Sequence, residues 1–247
     1  MKSLKIILRT CTAVKNVGSS QRPFNLDKKT IILKCLKSLL ECCSQLKRRN
    51  ITLEIVDDSS GANFINLMKR ILSKYKITYN IHLKNFKNNG KSMEYCYNLA
   101  ERSKADLIYF LEDDYFHLKH SILAILDAYE SKLLFTDNFA IFPTDYPRLY
   151  HNIEPSLIFI GKYCHWRSTP YTTGTFVIPK KLFLKYKELF YKFARFNRFK
   201  HGGEKETINI LWKKKIPCIS PIPSLTAHLH KTSIPPLIDW KKELKID

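Results

Sequence analysis

Two short acidic clusters dominate the chemistry open to this chain, Asp57-Asp58 and Glu112-Asp113-Asp114. Each closes an apolar run, Ile51–Val56 and Leu107–Leu111, of the kind that forms a buried strand. In an open parallel sheet, ligands bind beyond the carboxyl ends of the strands, so acids at two such ends share one edge. Carboxylates converging in a protein of net charge +20 is a costly arrangement unless a cation lies among them. Mg²⁺ and Mn²⁺ take carboxylate oxygens and usually hold substrate phosphates as well, so a metal-bridged nucleoside diphosphate is the expected ligand. Asp57 and Asp58 also have an ordinary reading as turn and cap residues ahead of a helix. Three adjacent acids after a five-residue strand fit a turn less well.

The elements that must position these acids alternate. Strand patterns at Leu4–Leu8, Ile51–Val56, Ile77–Leu83 and Leu107–Leu111 are each followed by a helical pattern. The helices are predicted over Asp27–Arg49, Phe64–Tyr75, Lys91–Arg102 and Leu118–Ser131. Strand-helix repeats imply a mostly parallel sheet with right-handed crossovers, an α/β fold. Beyond a seam near 115–145, prolines break the chain into short strands, including Leu157–Ile160 and Thr175–Ile178. Helices are predicted over Lys180–Phe199 and Glu204–Lys214, with an extended or loop-like tail.

Three motifs in register carry a family resemblance. Leu53–Ser60, LEIVDDSS, resembles the strand-two motif of family-2 GT-A glycosyltransferases. Asn89-Gly90-Lys91-Ser92, with Asn98 on the following helix, resembles that family's N-x-G segment and helical Asn. Leu107–Asp114 resembles its apolar strand ending in the D-x-D metal motif. The resemblance spans roughly residues 4–116 and implies a GT-A (Rossmann-like) mostly parallel central sheet flanked by helices, with an irregular acceptor-side C-terminal half. It implies one GT-A-like domain over 1–247, with a nucleotide-sugar-binding half at 1–116 and an acceptor-side half and tail at 117–247.

By position, the resemblance places Thr10, Asp57, Asp58, Asn89, Lys91, Glu112 and Asp113 around the donor. Asp114 takes the second D-x-D place and coordinates Mn²⁺ or Mg²⁺, with Glu112 acting on ribose or on the metal through water. Thr172–Phe176 looks like the acceptor-side loop before the last core strand, which puts Thr173 and Gly174 at the acceptor, with Trp166 and Tyr171 as sugar-stacking candidates. The stretch from His201 to Glu206 opens a helix where the family often carries an acidic pair with the catalytic base. Lys205 replaces one partner, leaving Glu204 first and Glu206 second as catalytic residues. His228 and His230 would point the same way on a strand, and either is a candidate late metal ligand.

The reaction so implied is sugar transfer from a nucleotide-sugar donor, UDP-sugar favoured, to a glycan or lipid-linked acceptor, metal-dependent and inverting. Apolar residues at 45% and aromatics at 13% supply a core. The excess of 42 basic over 22 acidic residues favours polyanions and is compatible with peripheral contact with an anionic membrane. Seven cysteines without a C-x-x-C pair argue against a disulfide framework and for a reducing, cytoplasmic setting. No run approaches the ~18 apolar residues of a spanning helix. A P-loop NTPase would need glycine where Asn85 stands. A nucleotidyltransferase on a similar sheet would need a richer phosphate loop than Arg9, Lys15 and Gly18 provide. A nucleic-acid-binding protein or nuclease has charge in its favour but none of the recognition signatures, so a nucleic-acid partner is not expected.

Overall fold

The computed structural model describes residues 1–13, 22–46, 50–151, 155–200 and 202–246 of the 247-residue chain. Lys15 and Gly18 of the first loop, Arg49 of the first predicted helix and His201 lie outside the described residues.

The first half alternates as predicted: β1 (Leu4–Thr10), α1 (Lys28–Ser44), β2 (Ile51–Asp58), α2 (Ala62–Leu72), β3 (Thr78–Lys84), α3 (Asn89–Arg102) and β4 (Leu107–Glu112). There follow β5 (Tyr115–His117), α4 (Ser121–Glu130), β6 (Ala140–Ile141), α5 (Arg148–His151), β7 (Ile158–Ile160), β8 (His165–Ser168) and β9 (Phe176–Pro179). The chain ends with α6 (Lys180–Lys185), α7 (Lys187–Asn197), α8 (Ile208–Lys214), β10 (Cys218–Ile222), β11 (Thr226–His228) and α9 (Trp240–Leu244).

One nine-stranded sheet, ordered β3-β2-β1-β4-β9-β6-β10-β8-β7, crosses the predicted seam without a break. Its first four strands are parallel, and β9 then pairs antiparallel with β4. β1, β2 and β4 are buried almost throughout, as central strands covered on both faces must be. The register sets Thr10 opposite Asp57 and Arg9 opposite Glu112, so the acid-bearing strand ends lie side by side. A separate two-stranded sheet pairs β5 with β11 antiparallel and brings His228 opposite Tyr115.

Local chemistry explains three of the helix starts. Asp27 caps α1 by accepting from the Lys29 and Thr30 amides at 2.9 and 3.1 Å. Asn88 caps α3 by accepting from the Lys91 amide at 3.0 Å. The helix predicted over Lys180–Phe199 is two helices, because the Tyr186 backbone (φ −116°, ψ 19°) leaves the helical region. The helix predicted from Glu204 begins only at Ile208, with Glu204–Thr207 forming turns. The tail is not wholly extended either. Asp239 caps α9, and Trp240 and Leu244, four residues apart, bury against α1 residues Ile31 and Cys35.

Gly90 marks a close helix contact. A Cβ there would stand 2.2 Å from the Ala194 carbonyl oxygen and 2.5 Å from the Arg198 amide nitrogen. The glycine of the N-x-G-like segment therefore lets α3 and α7 touch backbone to backbone. Gly90→Ala should gain about 1 kcal/mol of helix propensity and lose about 3 kcal/mol to forced separation. The net loss should lower Tm by several degrees, about 2–4 °C per kcal/mol at this chain length. A melting curve at or above that of the parent would refute the packing role.

Candidate active site

The carboxyl ends of β1, β2 and β4 open into a cleft of about 700 Å³, of the size that holds a small-molecule ligand. Thr10, Asp58, Asn89, Glu112, Asp113, Asp114, Thr173, Gly174, Glu204, His228 and His230 all line it. Residues 218 positions apart in sequence, from Thr10 to His228, thus meet in one wall through sheet register and the β5–β11 pairing.

Three protein cations are already in place among the acids. Arg9 Nη2 donates to Glu112 Oε1 at 2.9 Å, Lys28 pairs with Asp113, and His228 Nε2 lies 3.5 Å from Asp114 Oδ2. The expectation that converging acids demand a metal is thereby weakened, since each acid of the Glu-Asp-Asp run has its own counter-charge. Burial pushes the Asp113 carboxyl above its ordinary range despite Lys28. Burial would raise Asp114 too, but the charge and hydrogen bond of His228, with Lys28 behind, outweigh it and hold that carboxyl well below the usual range. Burial would lower His228, and Asp114 more than reverses it, so the imidazole is shifted upward. Asp114 and His228 therefore stabilise each other as an ion pair.

His228 is held from several sides. Its ring stacks on Tyr115 at 4.6 Å, and its Nδ1 lies 2.7 Å from the Tyr146 hydroxyl. Tyr146 in turn reaches the Tyr115 hydroxyl at 3.2 Å, and Tyr115 reaches Thr173 Oγ1 at 2.8 Å. The Leu229 amide donates to the Asp114 carbonyl at 2.7 Å, clipping β11 beside the acid. His230, its ring 5.5 Å from His228, is shifted downward by burial and by that neighbouring imidazole.

Whether this wall fits a divalent ion turns on its donor atoms. Among the described residues no group of three or more His, Cys, Asp or Glu side chains closes into a metal cluster. Asp114 Oδ1, however, is buried without a hydrogen-bond partner. A buried carboxylate oxygen normally meets a water or an ion, and an imidazole lies beside this one. These two residues fit a hard cation completed by ligand phosphates and water. An oxygen-plus-imidazole set suits Mn²⁺ better than Mg²⁺.

Several sequence expectations need correction. Asp57 is fully buried, with Oδ2 accepting from Thr10 Oγ1 at 2.7 Å and Oδ1 from the Ser60 amide at 3.0 Å. Both oxygens are engaged, so it braces the strand end and does not face the cleft, and the Thr10 hydroxyl is committed with it. Asp58 does line the cleft, while its Oδ1 gathers the Phe86 and Lys87 amides at 2.7 and 3.1 Å and ties down the β3–α3 loop. Lys91 is exposed on the first turn of α3, outside the cleft lining. Asn98 is also exposed and accepts from the Tyr191 hydroxyl at 2.6 Å. Trp166 is only 2% exposed, packed into the core from β8, and cannot stack on a sugar. Tyr171 has its ring covered by Arg148 at 3.9 Å and Lys213 at 5.1 Å, away from the cleft. Glu206 is exposed and also outside the lining.

Gly174 faces Glu112: a Cβ there would come within 3.0 Å of Oε1, so glycine gives the carboxylate its room. Glu204 is the acid of its loop that reaches the cleft. Burial pushes its carboxyl upward, with a smaller contribution from Glu112. The loop is pinned from the sheet. Arg9 donates to Asn89, Asn89 Nδ2 donates to Asn197 Oδ1 at 2.9 Å, and Asn197 Nδ2 donates to the Gly202 carbonyl at 2.8 Å. Gly202 and Gly203 take φ of +97° and +86°, the left-handed region glycine tolerates. Sequence reasoning passed over Arg9, Lys28 and Asn197 as site residues. Arg9 was legible as the residue ending β1, but nothing local marked the other two.

This architecture has a match among solved structures. The crystal structure of S. aureus TarS aligns with a TM-score of 0.51, covering 88% of this chain and 35% of that one at 12% identity. The fold is that of a GT-A glycosyltransferase. The chain thus spans about a third of the length of TarS. The mannosyltransferase PcManGT from Pyrobaculum calidifontis, in complex with GDP-Man and Mn²⁺, aligns at 0.49 over 74% of this chain and 46% of that one, with 12% identity. S. aureus TarS 1-349 in complex with UDP aligns at 0.47 over 79% and 55%, with 13% identity. No protein-family model and no curated protein matches the sequence.

Proposed function

We propose that this chain is a glycosyltransferase that moves a sugar from a nucleotide-sugar donor to a glycan or lipid-linked acceptor. The observation that carries the reading is one cleft, on a GT-A sheet, lined on one side by Asp58 and Asp114 with His228 and on another by Glu204. Asp58, at the end of β2, receives the nucleoside, and Arg9 and Asn89 hold the floor on which the diphosphate lies. Asp114, and His228 once it has given up the proton that pairs it with Asp114, would hold a divalent ion, Mn²⁺ by preference, which when bound would supply charge to offset that developing on the departing diphosphate. Tyr146 and Tyr115 fix the ring of His228 so that its nitrogen stays aimed at Asp114.

Glu204 takes the proton from the acceptor hydroxyl as that oxygen attacks the anomeric carbon. A carboxylate whose affinity for protons is raised by burial is better matched to this role than an exposed one. Attack from the side opposite the leaving diphosphate gives inversion. Among donors, UDP-sugars are the first class to test. A thermal-shift panel of UDP-, GDP-, dTDP- and CMP-sugars, with and without Mn²⁺, tests the reading. One donor class should stabilise the fold in a metal-dependent way, by about 2.7 kcal/mol at a hundredfold excess over Kd. A flat response to every donor under both conditions would reject it.

A further inference from the structure

At one corner of the cleft the start of α3 meets the end of α7. Gly90 lies against Ala194 and Arg198, the Asn88 side-chain amide donates to the Arg198 carbonyl at 3.0 Å, and the Arg198 guanidinium pairs with Glu94. Lys91, next to Gly90 on α3, and Arg195, Phe199 and Lys200, at the end of α7, flank this junction and are all exposed, with Phe199 at 91%. Among the described residues none of these three cations has a carboxylate within ion-pair distance, whereas the neighbouring Glu94 is neutralised by Arg198. Glu188 lies two turns back on α7, and exposed Glu206 follows the exposed Lys205 in sequence. The corner adjoins the wall formed by Asn197, Gly202 and Glu204.

A phenyl ring left in water beside unpaired cations is a combination that water alone does not favour. An anionic bilayer surface takes both parts: lipid phosphates attract Lys and Arg, and the interfacial zone accepts an aromatic ring. A soluble polyanion would use the cations and leave the ring exposed. We propose that this corner docks the protein onto an anionic membrane surface, with Phe199 entering the headgroup region and Lys91, Arg195 and Lys200 facing lipid phosphates. The net charge of +20 makes the protein as a whole complementary to such a surface. Docking here sets Glu204 near the headgroups, where the acceptor would be lipid-linked. The proposal deepens the glycosyltransferase reading on that point, and its test uses no sugar donor, so either can fail alone.

The test is co-sedimentation of the full chain with phosphatidylcholine vesicles, with and without about 30% phosphatidylglycerol. The parent should bind the anionic vesicles and not the neutral ones. K91Q/R195Q/K200Q should weaken binding about 100-fold, at about fivefold for each charge removed near the surface. Phe199→Ser should weaken it several-fold in a way that added salt does not mask. All four positions are exposed, and unchanged melting curves check that the variants fold. Equal binding to both vesicle types, no binding to either, or full binding by the triple variant would each overturn the proposal. So would loss of binding in the triple variant with none in Phe199→Ser, together with competition by soluble polyphosphate, which would reassign the corner to a soluble polyanion.

Discussion

Asp114→Asn should abolish the Mn²⁺-dependent part of donor stabilisation and lower turnover by roughly 10²–10⁴-fold, the several kcal/mol of charge stabilisation that metal catalysis supplies. The side chain keeps its shape but loses the charge that Oδ1, buried and unpartnered, would bring to a cation. The same substitution removes the anion facing His228 at 3.5 Å, and with it the main cause of the imidazole's upward shift. The variant should therefore be folded but indifferent to Mn²⁺, read by thermal shift with donor and metal varied independently. If the variant and the parent respond to Mn²⁺ alike, Asp114 is not a ligand. Asp113→Asn is the informative neighbour: its carboxylate is held by Lys28 and the Cys11 amide at 3.0 Å, so its loss should disturb the first loop more than the metal response.

Glu204→Gln should lower kcat by roughly 10²–10⁴-fold, the usual contribution of a general base, while leaving donor-induced stabilisation intact. The pH profile gives a second readout. Burial raises the Glu204 carboxyl, so the active, ionised form appears only as pH climbs through a value above the ordinary carboxylate range of about 4.3. The acid limb of kcat should fall there in the parent and vanish in the variant's residual rate. Stability should move the other way. A carboxyl whose folded pKa lies above its unfolded one favours the native state below the unfolded pKa. That advantage is lost as pH rises through the folded pKa. Glu204→Gln should then melt at or above the parent at neutral pH, with the difference shrinking toward acid. A variant with parental kcat, or with no change in the acid limb, would remove Glu204 from the reaction and direct attention to another acid.

The rest of the site divides by how each residue reaches the cleft. Asp58, Glu112, Asp113 and Asp114 were legible because an apolar run followed by acids marks the end of a buried strand, a pattern local in sequence. Glu204 was legible through its loop, although Glu206 two residues on was not distinguishable, since only the fold shows which acid turns inward. Trp166 and Tyr171 were misread because an aromatic ring serves a core and a binding platform equally well. One is sealed beneath β8, and the other is covered by Arg148 and Lys213. Gly90 was legible only as part of the N-x-G-like segment, and its role as a helix-contact glycine depends on where α7 runs.

Composition and periodicity determined the parallel half of the sheet, the helices beside it and the edge on which the acids gather, because those features repeat over short stretches of chain. The short strands β5, β6, β8 and β11 carry too few residues for periodicity to register. α9 was hidden behind prolines despite its Asp239 cap. Tertiary structure alone decided that Arg9, Lys28 and His228 each neutralise one acid of the Glu-Asp-Asp run. It also decided that Asn197 ties the Glu204 loop to the sheet. Those pairings join residues up to 114 positions apart, Asp114 with His228. They follow from strand order and helix packing, which set distances that no local pattern of residues encodes.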